Sequence, residues 1–265
     1  MSDAVPISDP ADPRLDDFRD LSHADRRPDR PGGRGLVIAE GVVVVRRLVY
    51  SPYPLRALLG VSRRYDELAD DLAGTAAPFY VATAEVMADV VGFHLNRGVL
   101  ATADRVGFPS AADLLDSVRT VAVLEGVGDH ENLGALFRNA AAFGIGAILL
   151  AEGCSDPLYR RSVRVSMGTV LGVPFASLPG WPGASMNLLR NKGFRVIALT
   201  PSGEVTLREG GLTGRVALLL GSEGPGLTAA ALGFADVRVR IPMATGVDSL
   251  NVATAAAVAF AALRN

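Results

Sequence analysis

The sequence predicts an α/β protein: a C-terminal part with a mostly parallel sheet, preceded by a smaller α/β block. From residue 35 onward, short apolar segments alternate with segments of helical character, which is typical of strands connected by helices. The segment 118–124 is apolar enough for a strand buried on both faces, as strands of parallel sheets are. Hydrophobic residues make up 49% of the 265 residues, enough for a large core.

The first 34 residues differ in composition from the rest. They hold eight Asp and six Arg, which accounts for the whole net charge of −2. Residues 28–35, rich in Pro and Gly, have the composition of a linker. One short helix is predicted in 12–21, with Leu15, Phe18 and Leu21 on one side. We therefore expect residues 1–34 to be an N-terminal extension that is largely flexible.

Residues 35–104 form the smaller α/β block. The alternation predicts strands at 36–39, 55–59, 79–82 and 98–101, and helices at 42–50, 63–72 and 84–90. Arg63 and Arg64 open the second of these helices and are candidates for a basic, RNA-binding patch. A solvated helix face is the other interpretation.

Residues 105–117 are predicted to be a linker with one helical turn, and 118–265 a second domain. Its strands are predicted at 118–124, 145–150, 174–176, 195–199, 216–220 and 237–241. Helices are predicted at 133–143, 158–165, 182–192, 228–232 and 250–264. Ligands of such sheets bind at the carboxyl ends of the strands.

The composition excludes several classes of protein. Cys154 is the only cysteine, so no internal disulfide can form, and a cytoplasmic location fits. No apolar segment reaches the length of a membrane span, and the N-terminus lacks the pattern of a signal peptide. Three scattered histidines and one cysteine predict no metal site. The body after residue 34 is electrically neutral, so any RNA-binding surface must be a local patch.

Three polar loops follow predicted strands. The first contains Asn132, a candidate N-cap for the next helix, and Arg138 inside that helix among apolar neighbours. An Arg in such a position is costly to half-bury unless it meets an anion, although a snorkelling surface Arg is the alternative. The second loop, 221–227, carries three glycines that permit close approach of backbone to a ligand. Its spacing does not match a dinucleotide fingerprint, and no Gly-Lys-Ser/Thr of a P-loop occurs.

The third loop, 241–252, joins the last strand to the Ala-rich C-terminal helix. Gly246 permits a tight reversal, and Asp248 and Ser249 offer N-cap oxygens, with Asp248 the favoured cap. Ser249 and Asn251 together favour a ligand site beside unpaired backbone N–H groups.

In this order and spacing, the three loops resemble the signature motifs of the SpoU (TrmH-type) RNA 2′-O-ribose methyltransferases of the SPOUT superfamily. The motifs read Asn132-Leu-Gly-Ala-Leu-Phe-Arg138, Gly221-Ser-Glu-Gly-Pro-Gly-Leu227 and Ile241-Pro-Met followed by Ser249-Leu-Asn-Val252. The resemblance covers about residues 118–265. The block 35–104 is similar to the small ribosomal-protein-like substrate domain of many members, for instance in 36–41. His130 departs from the pattern, since members often have Pro there.

The resemblance implies a homodimer whose C-terminal SPOUT domain contains a deep trefoil knot. It implies S-adenosyl-L-methionine as cofactor and RNA, ribosomal or transfer, as substrate. The residues that it implies for cofactor binding are Leu199, Thr200, Leu220, Gly221, Glu223, Gly224, Ile241, Met243, Leu250 and Asn251. Those implied for catalysis are Asn132, Arg138, Glu223, Ser249 and Asn251.

The reaction places a ribose 2′-hydroxyl in line with the methyl–sulfur bond and removes its proton. Arg138 either assists the departure of the proton or holds a phosphate and stabilises the developing alkoxide, and either subunit can supply it. Arg160, Arg161 and Arg164 are candidates to extend the phosphate contact, with a solvated helix face as the alternative. Two other functions fit the fold: an RNA-binding protein without catalysis, and a SPOUT enzyme that methylates a base. The residues of the third loop favour ribose.

Overall fold

The computed structural model describes residues 4–21 and 35–263, which form two compact units. The first unit comprises the described residues up to Gly107 together with Leu158–Gly172. The second comprises Phe108–Pro157 and the described residues from Val173 onward.

The first unit is built on a five-stranded mixed sheet. Its strands are β1 (Ala4–Pro6), β2 (Leu36–Glu40), β3 (Leu55–Gly60), β4 (Phe79–Val81) and β5 (Val99–Asp104). They lie in the order β1-β4-β3-β5-β2, with β5 antiparallel to both of its neighbours and the other pairs parallel. Helices α1 (Val42–Val49), α2 (Ser62–Leu72) and α3 (Ala84–Val91) follow β2, β3 and β4. The alternation predicted for 35–104 is therefore present.

The N-terminal segment corrects the expectation of a largely flexible extension. Within residues 4–21, β1 pairs with β4, and a 3-10 helix spans Pro13–Phe18. Leu15, Phe18 and Leu21 have no exposed surface, because they pack into the core of this unit as the helical pattern predicted. The proposed linker composition at 28–35 falls almost wholly outside the described residues.

The second unit is built on a seven-stranded sheet in which every pair of neighbours is parallel. Its strands are β6 (Thr120–Glu125), β7 (Ala147–Leu150), β8 (Phe175–Ser177), β9 (Arg195–Leu199), β10 (Val205–Thr206), β11 (Val216–Gly221) and β12 (Val237–Arg240). They lie in the order β10-β12-β9-β11-β6-β7-β8. The predicted parallel α/β architecture is confirmed, and all six predicted strands are present. The two-residue β10 was not predicted, since it is too short to show a pattern.

Helices flank this sheet. They are α4 (Ala111–Ser117), α5 (His130–Phe143), α7 (Gly183–Asn191), α8 (Ala229–Phe234) and α9 (Val252–Leu263); α6 (Arg160–Val165) lies in the first unit. Helix α4 is longer than the single turn predicted, and it buries Leu114 and Leu115 in the core of the second unit. The segment 105–117 is thus in part a packed element of that unit and not only a linker.

The segment 158–172 differs from the predicted domain boundaries. The sequence placed it in the C-terminal domain, but it belongs to the first unit. Helix α6 packs against β2, and Gly168 lies against Val44 of α1. Val163 is fully buried there. The buried residues of this short helix, Ser162 and Val163, thus lie in the smaller unit.

The topology brings three chain segments together in the second unit. Strands β12, β9 and β11 are consecutive neighbours, so the segments that follow their carboxyl ends start side by side. Strand β6 lies on the other side of β11. In the described part of the chain, no helix is both long and apolar enough to span a membrane.

Candidate functional site

A cavity of about 630 Å³ lies at the carboxyl ends of β9, β11 and β12. Its walls come from residues 199–202, 220–227 and 249–252, with Ile241, Met243, Leu232 of α8 and Ala255 of α9. Pockets for small molecules have volumes of about 300–1,000 Å³ and combine apolar walls with a few polar groups. The size and composition therefore fit a small-molecule cofactor.

The cavity brings together residues that are far apart in the sequence. All ten residues predicted to bind the cofactor line it: Leu199, Thr200, Leu220, Gly221, Glu223, Gly224, Ile241, Met243, Leu250 and Asn251. Ser249 also lines it. Sequence reasoning did not name Pro201 and Ser202, which are lining residues too. Their positions next to predicted residues are the only signal that could have found them.

The loop 221–227 folds back on the strand that precedes it. Ser222 and Gly226 form an isolated bridge, in which the Gly226 amide donates to the Ser222 carbonyl at 3.1 Å. A Cβ on Gly221 would overlap the backbone of Gly226 and Leu227, so only glycine permits this close approach. The loop is thus a tight arch whose backbone faces the cavity.

A chain of hydrogen bonds connects the three polar loops. Asn251 Nδ2 donates to Asn132 Oδ1 at 2.7 Å and to Glu223 Oε1 at 2.5 Å. Asn251 Oδ1 accepts from the amides of Ala253 and Thr254, at 3.0 and 3.2 Å. Both sides of this amide are therefore engaged, and its orientation is fixed by backbone donors. Asn251 is the residue on which the three loops converge.

Other polar atoms of the same cluster remain available to a ligand. In the part of the chain that the structure describes, the Ser249 hydroxyl, Glu223 Oε2 and Asn132 Nδ2 have no hydrogen-bond partner. Ser249 and Glu223 are exposed. The cluster can thus offer a hydroxyl, a carboxylate oxygen and an amide N–H to a polar substrate.

Two predicted helix caps are wrong. Helix α5 is capped by Asp129, whose Oδ1 accepts from the amides of Glu131 and Asn132, and Asn132 itself lies in the first turn. Helix α9 is capped by Asn251, not by the favoured Asp248. Helix α5 begins at His130, before the predicted start at 133, and α9 begins at Val252, after the predicted start at 250. The position of the first turn decides which side chain reaches the free amides.

Arg138 lies on the surface of α5. The residue is exposed, and its guanidinium has no partner among the described residues, so of the two environments considered the structure shows the surface Arg and not the half-buried one. It also does not line the described cavity. The neighbouring Asn139 instead donates from Nδ2 to the Ala253 carbonyl at 2.8 Å, where α5 packs against α9.

The arginines predicted to bind RNA have different environments in the first unit. Arg63 is exposed at the start of α2, whereas Arg64 is partly buried and pairs with Glu67 at 2.5 Å. Arg160 forms an ion pair with the buried Glu40 at 3.4 Å, and its side chain is only 17% exposed. Its guanidinium also lies 4.8 Å from the centroid of Phe93, so Arg160 is engaged within the unit and is not a free phosphate ligand.

The remaining basic groups of this unit are more accessible. Arg161 and Arg164 are exposed on α6. Sequence reasoning did not name Arg97, which is exposed and has no partner among the described residues. Its aliphatic stem packs over Gly41, and the Arg64 side chain lies next to Gly98. Arg97 therefore adds an exposed cation beside Arg64 at the end of the sheet where β2 and β3 finish.

The single cysteine is not a candidate nucleophile, and the described acidic groups do not form a metal site. Burial raises the pKa of the Cys154 thiol, which donates to the Leu124 carbonyl at 3.2 Å, and a protonated, half-buried thiol is a poor nucleophile. Within residues 4–21 and 35–263, no three His, Cys, Asp or Glu residues group in a way that could hold a metal ion.

Comparison with known sequences gives a consistent result. The sequence profile of the SpoU rRNA Methylase family matches residues 119–261. A protein of Mycobacterium tuberculosis, named an uncharacterized tRNA/rRNA methyltransferase, is 59% identical over 97% of this chain and 91% of its own length. The 23S rRNA (guanosine-2′-O-)-methyltransferase RlmB of Escherichia coli is 32% identical over 51% of this chain and 56% of its own.

Comparison with solved structures supports the fold. The AdoMet-bound rRNA methyltransferase of Sinorhizobium meliloti superimposes with a TM-score of 0.80, covering 98% of this chain and 97% of that one at 23% identity. At this identity the likeness concerns the arrangement of the backbone. It covers both units of the chain.

Proposed function

The chain belongs to the SpoU rRNA methylase family, and we propose that it transfers a methyl group from S-adenosyl-L-methionine to a ribose 2′-hydroxyl of ribosomal or transfer RNA. The observation that carries this proposal is the hydrogen-bond chain from Asn132 through Asn251 to Glu223 at the edge of the cavity. It joins all three family motifs beside a pocket of suitable size. The proposal includes a cytoplasmic location and a knotted C-terminal part.

The residues of the cavity suit this cofactor. Leu220, Ile241 and Met243 supply apolar surface for an adenine ring, and the loop 221–227 presents backbone without side-chain bulk. Thr200, Ser202 and Ser249 supply hydroxyl groups. When bound, the cofactor supplies an electrophilic methyl group, so the protein has to bind, orient and deprotonate the nucleophile.

The cluster around Asn251 can orient a ribose. Glu223 Oε1 is engaged by Asn251, whereas Oε2 has no partner among the described residues and can accept a hydrogen bond from a 2′-hydroxyl. Asn132 Nδ2 and the Ser249 hydroxyl can donate to neighbouring ribose oxygens. Fixing the hydroxyl in this way places it for attack and begins to withdraw its proton.

Arg138 acts on the RNA and not on the cofactor in this proposal. A guanidinium is protonated throughout the physiological pH range, so it is an unsuitable general base. Its exposure leaves it free to bind a phosphate flanking the target ribose and to stabilise the developing alkoxide. Since Arg138 does not line the described cavity of its own chain, we propose that it serves the cavity of a second subunit.

A homodimer is therefore part of the proposal. Helix α9 packs against α5 and buries Val252, Ala256 and Phe260, yet Val258 remains 42% exposed on the same apolar helix. Arg138 projects from α5, the helix that α9 contacts. A symmetric contact through α5 and α9 would cover this surface and bring Arg138 close to the partner.

The first unit is proposed to bind the RNA. The exposed Arg63 and Arg97 have no partner among the described residues and can contact phosphates, and Arg164 on α6 can extend that surface. Each phosphate contact contributes affinity that falls as salt is raised. Arg160 is omitted, because its ion pair with Glu40 occupies it.

The test is methylation of total RNA with radioactive S-adenosylmethionine, followed by mapping of the label. We expect 2′-O-methylation of a single nucleotide in ribosomal or transfer RNA. Label on a base would contradict the ribose assignment. Binding of RNA without any transfer of label would instead indicate an RNA-binding protein without catalysis.

A further inference from the structure

Glu125 is a buried carboxylate at the carboxyl end of β6, and neither the motifs nor the cavity lining includes it. The residue is 7% exposed. In the described part of the chain, no Lys, Arg or His forms an ion pair with it. A buried charge without a counter-ion is costly unless hydrogen-bond donors compensate it, so this position calls for an explanation.

Three neutral donors surround the carboxylate. Glu125 Oε1 accepts from Trp181 Nε1 at 2.5 Å and from Thr228 Oγ1 at 2.8 Å. Glu125 Oε2 accepts from the Thr228 backbone amide at 2.8 Å. Two of the three bonds therefore go to one residue, and that residue directly follows the loop 221–227.

Glu125 holds both ends of this loop. Its backbone pairs in register with Gly221, the residue at which the chain leaves β11. Its side chain binds Thr228, the residue at which the loop ends and α8 begins. The Thr228 hydroxyl also accepts from the Ala231 amide at 3.2 Å, so the start of α8 is fixed at the same point.

We propose that Glu125 is a positioning residue for cofactor binding: it keeps the 221–227 arch closed, so that the arch can form a wall of the cavity. This inference rests on the proposed function. Glu125 does not itself line the described cavity, and it acts through Thr228. A fixed second layer of hydrogen bonds is what keeps a binding loop in one geometry.

The third bond offers a matched control. Trp181 is partly buried against the core of the second unit and does not line the described cavity. Trp181→Phe removes one hydrogen bond from the same carboxylate without touching the loop. Thr228→Val removes the hydroxyl bond to Glu125 and the cap of α8 at nearly constant volume, and Thr228→Ser keeps the hydroxyl for both bonds.

The experiment measures the affinity for S-adenosylhomocysteine by calorimetry, and the midpoint of thermal unfolding, for the full-length chain and four variants. The amide of Glu125→Gln offers only one acceptor oxygen, so at least one donor loses its partner. We expect Glu125→Gln and Thr228→Val to weaken binding about tenfold or more, the effect of losing a hydrogen bond to a charged group. Thr228→Ser and Trp181→Phe should stay within about threefold of the unmodified chain, a difference below about 1 kcal/mol.

Two results would overturn the inference. One is a Glu125→Gln variant that unfolds at a lower temperature yet binds S-adenosylhomocysteine with unchanged affinity, which indicates a purely structural role. The other is equal weakening by Trp181→Phe and Thr228→Val, which shows that the loop is not the element that matters. If Glu125→Gln fails to fold, the comparison of Trp181→Phe with Thr228→Val decides whether the inference holds. Absence of binding by the unmodified chain would contradict the proposed function itself.

Discussion

Asn251 Nδ2 lies 2.7 Å from Asn132 Oδ1, although the two residues are 119 positions apart. The same nitrogen donates to Glu223, and the other side of the amide caps α9. One side chain thus starts the C-terminal helix and holds two other loops at the cavity. This double role permits a substitution that separates helix capping from the organisation of the site.

Asn251→Asp keeps the capping oxygen and removes the donor. Aspartate caps helices about as well as asparagine, so we expect little change in the midpoint of thermal unfolding. The second carboxylate oxygen would face Glu223 Oε1 and Asn132 Oδ1, which can only accept, and the cluster would separate. The rate of methyl transfer in a single turnover should fall about a hundredfold or more, on the scale of losing one oriented donor at a reaction centre.

Asp248→Asn is the matched control for this prediction. Asp248 lies three positions earlier in the same loop and is exposed, and it neither caps α9 nor lines the described cavity. Its substitution should leave the rate of methyl transfer close to that of the unmodified chain. Equal rates for Asn251→Asp and the unmodified chain would remove the hydrogen-bond chain from the proposed mechanism.

Much of this fold could be predicted, because apolar segments of strand length alternate with helical segments. The parallel sheet and its central strands follow from that pattern. The strand β1 could not be predicted, since three residues in an Asp- and Pro-rich segment show no alternation. The position of 158–172 was also not predictable, because its contacts with β2 and α1 are tertiary.

The candidate site, like the fold, could be predicted where it depends on sequence motifs and not where it depends on tertiary contacts. The resemblance to the family motifs implied which residues meet at the cavity, whereas the apolar neighbours of Arg138 in sequence left its environment open between half-buried and exposed. Consecutive residues of a helix point about 100° apart, so Phe137 can be fully buried while Arg138 is exposed. Glu125 was missed because its two partners, Trp181 and Thr228, are far away in the sequence.

The proposed dimer can be tested at its apolar surface. Val258 on α9 is 42% exposed, and Val258→Asp would place a charge in the contact between subunits, where its desolvation is costly. We expect the unmodified chain to be a dimer by light scattering at micromolar concentration, and the variant to dissociate. Val43→Asp is the control, since Val43 is a comparably exposed valine, 46%, on a helix of the first unit. A monomeric unmodified chain would contradict both the dimer and the shared site.

RNA binding can be tested at single arginines of the first unit. Deleting residues 1–104 is not a clean test, because it would uncover α6, which packs against β2. Arg97→Ala and Arg63→Ala remove exposed cations without removing an ion pair among the described residues. Each should weaken RNA binding and reduce the slope of log affinity against log salt by about one, while affinity for S-adenosylhomocysteine stays constant.

Arg119→Ala is the control for these variants. Arg119 is exposed and precedes β6 at the amino end of the strand, opposite to the cavity. It should leave RNA affinity and its salt dependence nearly unchanged. If Arg97→Ala and Arg63→Ala behave like Arg119→Ala, the RNA-binding surface lies elsewhere on the protein.

Arg138 is the most direct test of the proposed reaction. Because its side chain is exposed and without a partner among the described residues, Arg138→Ala should not change the midpoint of thermal unfolding or the affinity for S-adenosylhomocysteine. The single-turnover rate should fall by about a hundredfold or more, since one preorganised donor to the developing charge is lost. Arg119→Ala, an exposed arginine at the other end of the sheet, should keep the full rate.

The Lys variant distinguishes what Arg138 contributes. Arg138→Lys keeps the positive charge but loses the planar pair of donors that binds a phosphate through two bonds, so it should restore only part of the rate.

If the residue serves the cavity of the partner subunit, mixing Arg138→Ala with an Asn251→Asp variant should form heterodimers with one intact site and recover part of the activity. No recovery after verified subunit exchange would place Arg138 with the cavity of its own chain. A rate for Arg138→Ala within about threefold of the unmodified chain, a loss below about 1 kcal/mol, would remove Arg138 from the catalytic residues.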